Sequence, residues 1–455
     1  MKHTVRTWIH RLCALLSLGI IGVHPVGASA GARPPLPRIA FVRAGDLYLR
    51  QPDGNEARLT ADGGVSAPWW TTDGAAIFFT RTTGDASAAS LETWRWRADT
   101  GPERVPSGVW SPDGAAVASA EGVPQSEANV PGGALIVERG GERLALAPAT
   151  PDVRWQPLAW SPDGTRLAFA RLTITETPVP GAGVRPWVTD ATIQITGNPL
   201  DGPTTTLAVP QDPLWTRGAM HAASRPDRAL WSPDGRFLLV SIGPGDNCGS
   251  CLADGLPLYI LPVNGGPAVP LEETLQTGAF AWGSTGGWAV LSGPQGRETY
   301  VQKHLARFDA VSGARRDLTT DPRWADTAPA VSPDGRRIAF ARGETTDTQQ
   351  SPLAAIATRR LWLMDADGSN PQAVTNPAGW VDDAPVWTPD GARLLFVRWH
   401  GGKGTPSSAA LWSVGADGTG AALVVANLDL PRAFGDGFGY YGSFGWSQMF
   451  AVAPG

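Results

Sequence analysis

Apolar residues along this chain come in short runs, and the runs are punctuated by one recurring polar turn. Leu167-Ala168-Phe169-Ala170, Phe237-Leu238-Leu239-Val240, Ile338-Ala339-Phe340-Ala341 and Leu394-Leu395-Phe396-Val397 each follow such a turn. It reads Trp-Ser-Pro-Asp-Gly at residues 110–114, 160–164 and 231–235, Val-Ser-Pro-Asp-Gly at 331–335 and Trp-Thr-Pro-Asp-Gly at 387–391. Looser copies stand at 70–74 and 282–287, and a last Trp446-Ser447 lies near the C-terminus. Ser or Thr followed by Pro suits a type I turn, because Pro presets the backbone angle and the hydroxyl bonds locally. Gly in the last position takes the left-handed conformation that closes a hairpin. The turns are therefore hairpin tips and the apolar runs are strands.

A third strand follows in each unit, such as Leu258-Tyr259-Ile260-Leu261, Leu361-Trp362-Leu363-Met364 or Leu411-Trp412-Ser413-Val414. A glycine turn and a fourth strand such as Ala373-Val374-Thr375 complete it. The fold class is all-β, built from four-stranded antiparallel meanders. A repeat of about 40 to 70 residues marks a repeat architecture. A meander with two apolar faces cannot bury them alone, and stacking the units in a ring buries both: a β-propeller. Counting tips gives eight blades. The degenerate copy at Trp282 and the short interval from Trp70 to Trp110 leave seven as an alternative. Residues 38–60 carry second, third and fourth strands with no first, so the ring is expected to close by pairing of the terminal strands, with residues 443–447 as the missing first strand.

On these motifs the chain resembles the TolB-type, WD-like propeller repeats. Their hallmark is Trp-Ser-Pro-Asp-Gly, an Ile/Leu-Ala-Phe strand, an apolar third strand, an Asp-Gly turn and a Leu-Thr ending, and the resemblance covers nearly all of residues 38–450. It implies the fold and is nearly silent on function, since such repeats build the periplasmic TolB propeller, non-catalytic propellers of proteases, and many secreted proteins. The chain departs from TolB itself in having no α/β domain ahead of the propeller and more blades.

Lys2, Arg6 and Arg11 precede an apolar stretch over residues 12–23, and Ala28-Ser29-Ala30 has the Ala-x-Ala form of a cleavage site. Residues 1–30 read as a signal peptide, 31–37 as a linker and 38–455 as one propeller domain. Cleavage near Ala30 predicts an extracytoplasmic protein, in the periplasm, on the cell surface or secreted, without membrane insertion. Removing the three signal-peptide charges takes the formal net charge from −5 to −8. That argues against nucleic acid as a partner.

Cys248 and Cys251 sit in one loop segment without a second cysteine pair or nearby histidines, so a small disulfide is expected rather than a metal site, and no cofactor is implied. A Gly-x-Ser-x-Gly elbow is absent, the histidines left after processing (His221, His304, His400) are far apart, and a carboxylate repeated in every tip serves the tip. The chain is read as a non-enzyme and a monomer.

In a meander the long insertions of this sequence all fall on the end opposite the tips, the usual place for ligand contacts. That end offers Trp187, Trp215, His221, Trp399, His400, Tyr440 and Tyr441 as exposed aromatic and polar contacts. Trp324-Ala325-Asp326-Thr327-Ala328-Pro329 matches Trp380-Val381-Asp382-Asp383-Ala384-Pro385, each just before a first strand. Asp326, Asp382 and Asp383 are thus candidates to face a cationic ligand at the channel mouth. The expected function is an exported, non-catalytic scaffold or binding module for another envelope or extracellular protein. A peptide- or carbohydrate-binding propeller is the alternative, and a hydrolase or lyase using the channel carboxylates the third reading.

Overall fold

Six hairpin tips, at residues 70–74, 110–114, 160–164, 231–235, 331–335 and 387–391, lock themselves by the same hydrogen bonds, and this sets the repeat of the chain. In the computed structural model, which describes residues 34–84, 90–122, 132–179, 183–211, 223–243, 257–271, 280–293, 303–345, 356–376, 378–401, 406–431 and 444–455, the tip hydroxyl donates to the tip Asp. The distances are 2.5 Å for Ser111 to Asp113 and Ser161 to Asp163, 2.6 Å for Ser232 to Asp234, and 2.6 Å for Thr388 to Asp390. The same hydroxyl accepts the amide that opens the next strand, as at Ala116, Arg166, Phe237 and Arg393. The tip glycines at 74, 114, 164, 235, 335 and 391 have φ between +64° and +70°, where a side chain is disfavoured.

Eight four-stranded antiparallel sheets result, and the ring is an eight-bladed β-propeller. We number the blades along the chain. Blade 2 spans the strands Val65–Trp70, Ala76–Thr83, Ser90–Arg97 and Gly101–Val105, and blade 3 Val109–Trp110, Ala116–Glu121, Ala134–Arg139 and Glu142–Ala147. Blades 4, 5 and 6 begin at Val153–Trp160, Arg225–Trp231 and Phe280–Trp282. Blade 7 runs Trp324–Val331, Arg337–Glu344, Arg360–Asp365 and Gln372–Ala373, and blade 8 Val381–Trp387, Arg393–His400, Ser408–Gly415 and Ala422–Leu428. The copy at Trp282 is therefore a full blade.

Blade 1 is composite, as the missing N-terminal strand requires. Ile39–Arg43, Asp46–Arg50 and Glu56–Arg58 are completed by Phe450–Val452, with Ile39 opposite Val452 and Phe41 opposite Phe450. The closing strand lies a few residues further on than expected: Trp446–Gln448 is a turn of 3-10 helix. Its indole fills the seam, where Trp446 and Trp399 are each 1 % exposed among Ile39, Phe41, Leu411 and Phe450. Asp429, just after blade 8, ties the same seam by accepting the amides of Ala44 and Gly45 at 2.8 and 2.7 Å.

Neighbouring blades are stitched by the tip tryptophans as well as by apolar packing. The indole N–H of Trp160 donates to Val109 O at 2.8 Å, Trp231 to Ala159 O at 3.1 Å, Trp387 to Ala330 O at 3.0 Å, and Trp70 to Ala451 O at 3.2 Å across the closure. An arginine of the preceding blade lies over the same ring, Arg38 over Trp70 at 4.7 Å and Arg166 over Trp231 at 4.9 Å. It also donates to the tip carbonyl, of Gly74 and Gly235 respectively.

Candidate functional site

The two ends of the propeller differ. At one end lie the short first-to-second and third-to-fourth connections, satisfied within themselves. At the other lie the long ones, between Gly243 and Leu258, Gly293 and His304, Glu344 and Arg360, Ala208 and Arg225, and Leu428 and Phe450. One expected insertion, residues 173–190, belongs mostly to strands: Leu167–Val179 and Gly183–Ile195 continue their pairing as a ribbon beyond blade 4.

First strands start at the long-connection end, second strands finish there, and third strands start there. Blades 6 to 8 thereby gather a charged cluster. Asp326 and Asp382 lie within their first strands rather than before them, each directly opposite an arginine of the second strand, Arg342 and Arg398. Both pairs are bidentate, 2.6 and 2.9 Å for Arg342 with Asp326 and 2.7 and 2.8 Å for Arg398 with Asp382, and both carboxylates are 0 % exposed. Asp383 accepts from Arg359 of the previous blade at 2.9 Å. The three carboxylates are therefore buried and already matched by guanidinium groups, an arrangement whose charges are compensated internally. In both first strands an Ala-Pro bulge follows, with Ala328 and Ala384 at φ +50°, and blade 2 repeats it at Ala67. Left-handed alanine costs about 1 kcal/mol and is held here by the pairing on either side.

The arginines follow a signal the motif reading missed. Arg81, Arg171, Arg342 and Arg398 stand at one constant offset from their tips, the last position of the Phe-x-Arg run. Lys303 also went unmarked. It immediately precedes the third strand of blade 6, is 8 % exposed, and has no hydrogen-bond or ion-pair partner among the described residues. Burial, and then the nearby Arg359, pull its ammonium down to about 8.

The aromatic candidates divide. Trp399 is a correction: it ends a second strand pointing inward, its ring set edge-on to Phe444 at 5.3 Å, so it is core and presents no contact surface. His400, one residue on and therefore on the opposite face of the strand, is exposed and packs edge-on against Trp380 at 5.4 Å. Trp380 is itself 42 % exposed. The backbone of Trp187 lies in the blade 4 ribbon, with its side chain outside the described residues. Trp215, His221, Tyr440, Tyr441, Cys248 and Cys251 lie outside the described residues, as do residues 1–33. Among the described residues no three His, Cys, Asp or Glu side chains group as metal ligands, and no helix is long and apolar enough to cross a membrane.

No protein-family model matches the chain. Over 67 residues, 15% of this chain, it is 39% identical to the Tol-Pal system protein TolB of Rhizorhabdus wittichii. That match and an eight-bladed ring with six hydroxyl-locked tips fit the TolB-like repeat. The chain is a TolB-like β-propeller, and it is not TolB itself. The match spans only 14% of the curated relative's length. Among solved structures the TolB-like propeller is similar to Porphyromonas gingivalis dipeptidyl peptidase 4, at 12% identity and a TM-score of 0.54 over 86% of this chain and 58% of that one. A putative TolB from Agrobacterium tumefaciens aligns at 19% identity over 63% of this chain and 86% of its own, with a TM-score of 0.34. Likeness at these identities concerns the propeller scaffold.

Proposed function

We propose that this TolB-like propeller is an exported, non-catalytic binding module that docks another envelope or extracellular protein on its long-connection end. The asymmetry of the two ends carries this reading. At the tip end, each Ser/Thr-Asp pair closes its own turn. At the other end the chain spends its length on connections that the blades do not need, and that end carries the exposed, edge-on Trp380–His400 pair and a buried charged cluster. A catalytic reading is disfavoured by the pairing of Asp326, Asp382 and Asp383 with arginines, which leaves no free carboxylate among them to act as acid or base. The Trp380–His400 pair also suits a peptide or glycan ligand, the second reading, since an exposed ring beside a polar group offers both stacking and a hydrogen bond.

The experiment is capture of a partner from native envelope and medium by the mature protein, with Trp380→Ala/His400→Ala as the comparison. A partner held by the parent and lost by that variant supports docking at this end. Equal capture by both, or capture abolished by substitutions at the tip end such as Asn264→Ala or Ser369→Ala, overturns it.

A further inference from the structure

Consecutive blades place Lys303 and Arg359 in equivalent positions. Each immediately precedes a third strand, and each offers its carbonyl to the first strand of the next blade, Lys303 to the amide of Asp326 at 2.7 Å and Arg359 to the amide of Asp382 at 3.3 Å. Asp326 and Asp382 correspond, and so the residues after them correspond too. In blade 8 that residue is Asp383, whose carboxylate neutralises Arg359. In blade 7 it is Thr327, which is buried and whose hydroxyl has no hydrogen-bond partner. Here, then, a buried cation and a buried hydroxyl both lack the partner that their counterparts one blade later possess. A fully buried unpaired hydroxyl and an unpaired ammonium on a residue only 8 % exposed are each costly, and one carboxylate satisfies both.

We propose that Lys303 and Thr327 form a carboxylate-binding site at the long-connection end, filled by an acidic side chain or the chain terminus of a peptide segment of the docked partner. The inference rests on the docking reading above and gives it a chemistry. The ligand's carboxylate takes the place that Asp383 holds beside Arg359, accepting from the Lys303 ammonium and the Thr327 hydroxyl, with Arg359 adding a second positive charge nearby. A peptide is favoured over a simple ion because blade 8 carries the exposed Trp380 and His400 at the same end of the ring, which suit a chain with side chains of its own.

The test uses the mature chain and three probes: amidated hexaglutamate, a neutral hexapeptide with a free C-terminus, and hexaglutamine blocked at both ends. Beyond Lys2 the only lysines are Lys303 and Lys403, so amine acetylation read by mass spectrometry reports on the site with an internal control. A carboxylate probe is expected to slow labelling of Lys303 about tenfold and leave Lys403 unchanged, while blocked hexaglutamine does neither. Which of the first two probes protects tells a side-chain carboxylate from a terminus. Thr327→Asp supplies the carboxylate within the chain, so it should raise the melting temperature and abolish peptide binding. Lys303→Met should weaken the peptide at least tenfold in calorimetry and still fold. No protection by either carboxylate probe, unchanged affinity in both variants, or protection by a uronate oligosaccharide alone would overturn the proposal. If Lys303→Met still captures the native partner in full, the carboxylate site falls and docking stands. If the peptide protects Lys303 while no partner is ever captured, docking falls and the site stands.

Discussion

The carboxylate of Asp326 and the guanidinium of Arg342 face each other across two paired strands and meet through two hydrogen bonds, at 2.6 and 2.9 Å, out of contact with water. A carboxylate so placed holds its strand to the next and has its charge cancelled where it stands. Asp326→Ala should therefore cost about 3 to 5 kcal/mol of unfolding free energy, because it strands a buried guanidinium. Asp326→Leu/Arg342→Met should recover most of that loss. Chemical denaturation of the two variants checks this. A single variant as stable as the parent would mean that the pair is not structural.

Closure of the ring by Phe450–Val452 makes the last residues disproportionately valuable. Ending the chain at residue 445 removes the first strand of blade 1 and the Trp446 side chain, exposing an unpaired edge at Ile39–Arg43 and an apolar groove. The truncated protein should aggregate or melt far below the parent, as seen by light scattering and calorimetry.

Tip carboxylates should matter for stability and not for binding. Asp163→Ala and Asp234→Ala each remove bonds from the tip hydroxyl and a backbone amide, at a cost of about 1 kcal/mol. Although burial is the largest single influence and works against ionisation, the hydrogen bonds from Ser161 and Thr165 to Asp163, and from Ser232 and Arg236 to Asp234, together with the nearby arginines, outweigh it and hold both carboxyls below the usual 3.8. At Asp334 the bond from Ser332 is itself the leading cause, again downward. A lowered carboxyl stabilises the fold above the unfolded value and loses that contribution as pH falls below 3.8 through the lowered values. The variants should accordingly differ from the parent in stability at pH 7 and converge with it near pH 2, which urea titrations at both pH values will show.

Trp399→Ala and Trp380→Ala should have opposite signatures despite their closeness in sequence. Trp399 is 1 % exposed and packs in the closure seam, so its truncation should cost about 3 to 5 kcal/mol. Trp380 is on the surface, and its loss should leave melting within a degree or two while weakening the partner.

Lys303 gives a pH dependence of the same sign in an alkaline window. Its folded value, about 8, lies below the 10.5 of the free side chain, so between these limits the unfolded chain holds the proton more tightly. Stability should rise as pH increases through that window, by on the order of 3 kcal/mol in total, and the rise should vanish in Lys303→Met. Unfolding free energies at intervals from pH 7 to 10.5, parent minus variant, provide the measurement.

The repeat itself was legible in the residues because local chemistry dictates it. Ser or Thr, Pro, Asp and Gly at successive positions can satisfy one another only as a tip, and a tip every few dozen residues flanked by short apolar runs leaves no other way to bury the strands than a ring. The missing first strand at residues 38–60 likewise required completion from elsewhere in the chain, although the 3-10 turn at Trp446 moved the strand to Phe450. What the sequence could not supply is which groups of different blades meet. That Asp382 lies opposite Arg398, that Asp383 reaches Arg359 from another blade, and that Lys303 and Thr327 are left without partners depend on strand register and on blade-to-blade packing. Trp399 and His400 are adjacent and alike in composition, and only the pleat, which sends neighbours to opposite faces of the strand, decides that one is core and the other surface.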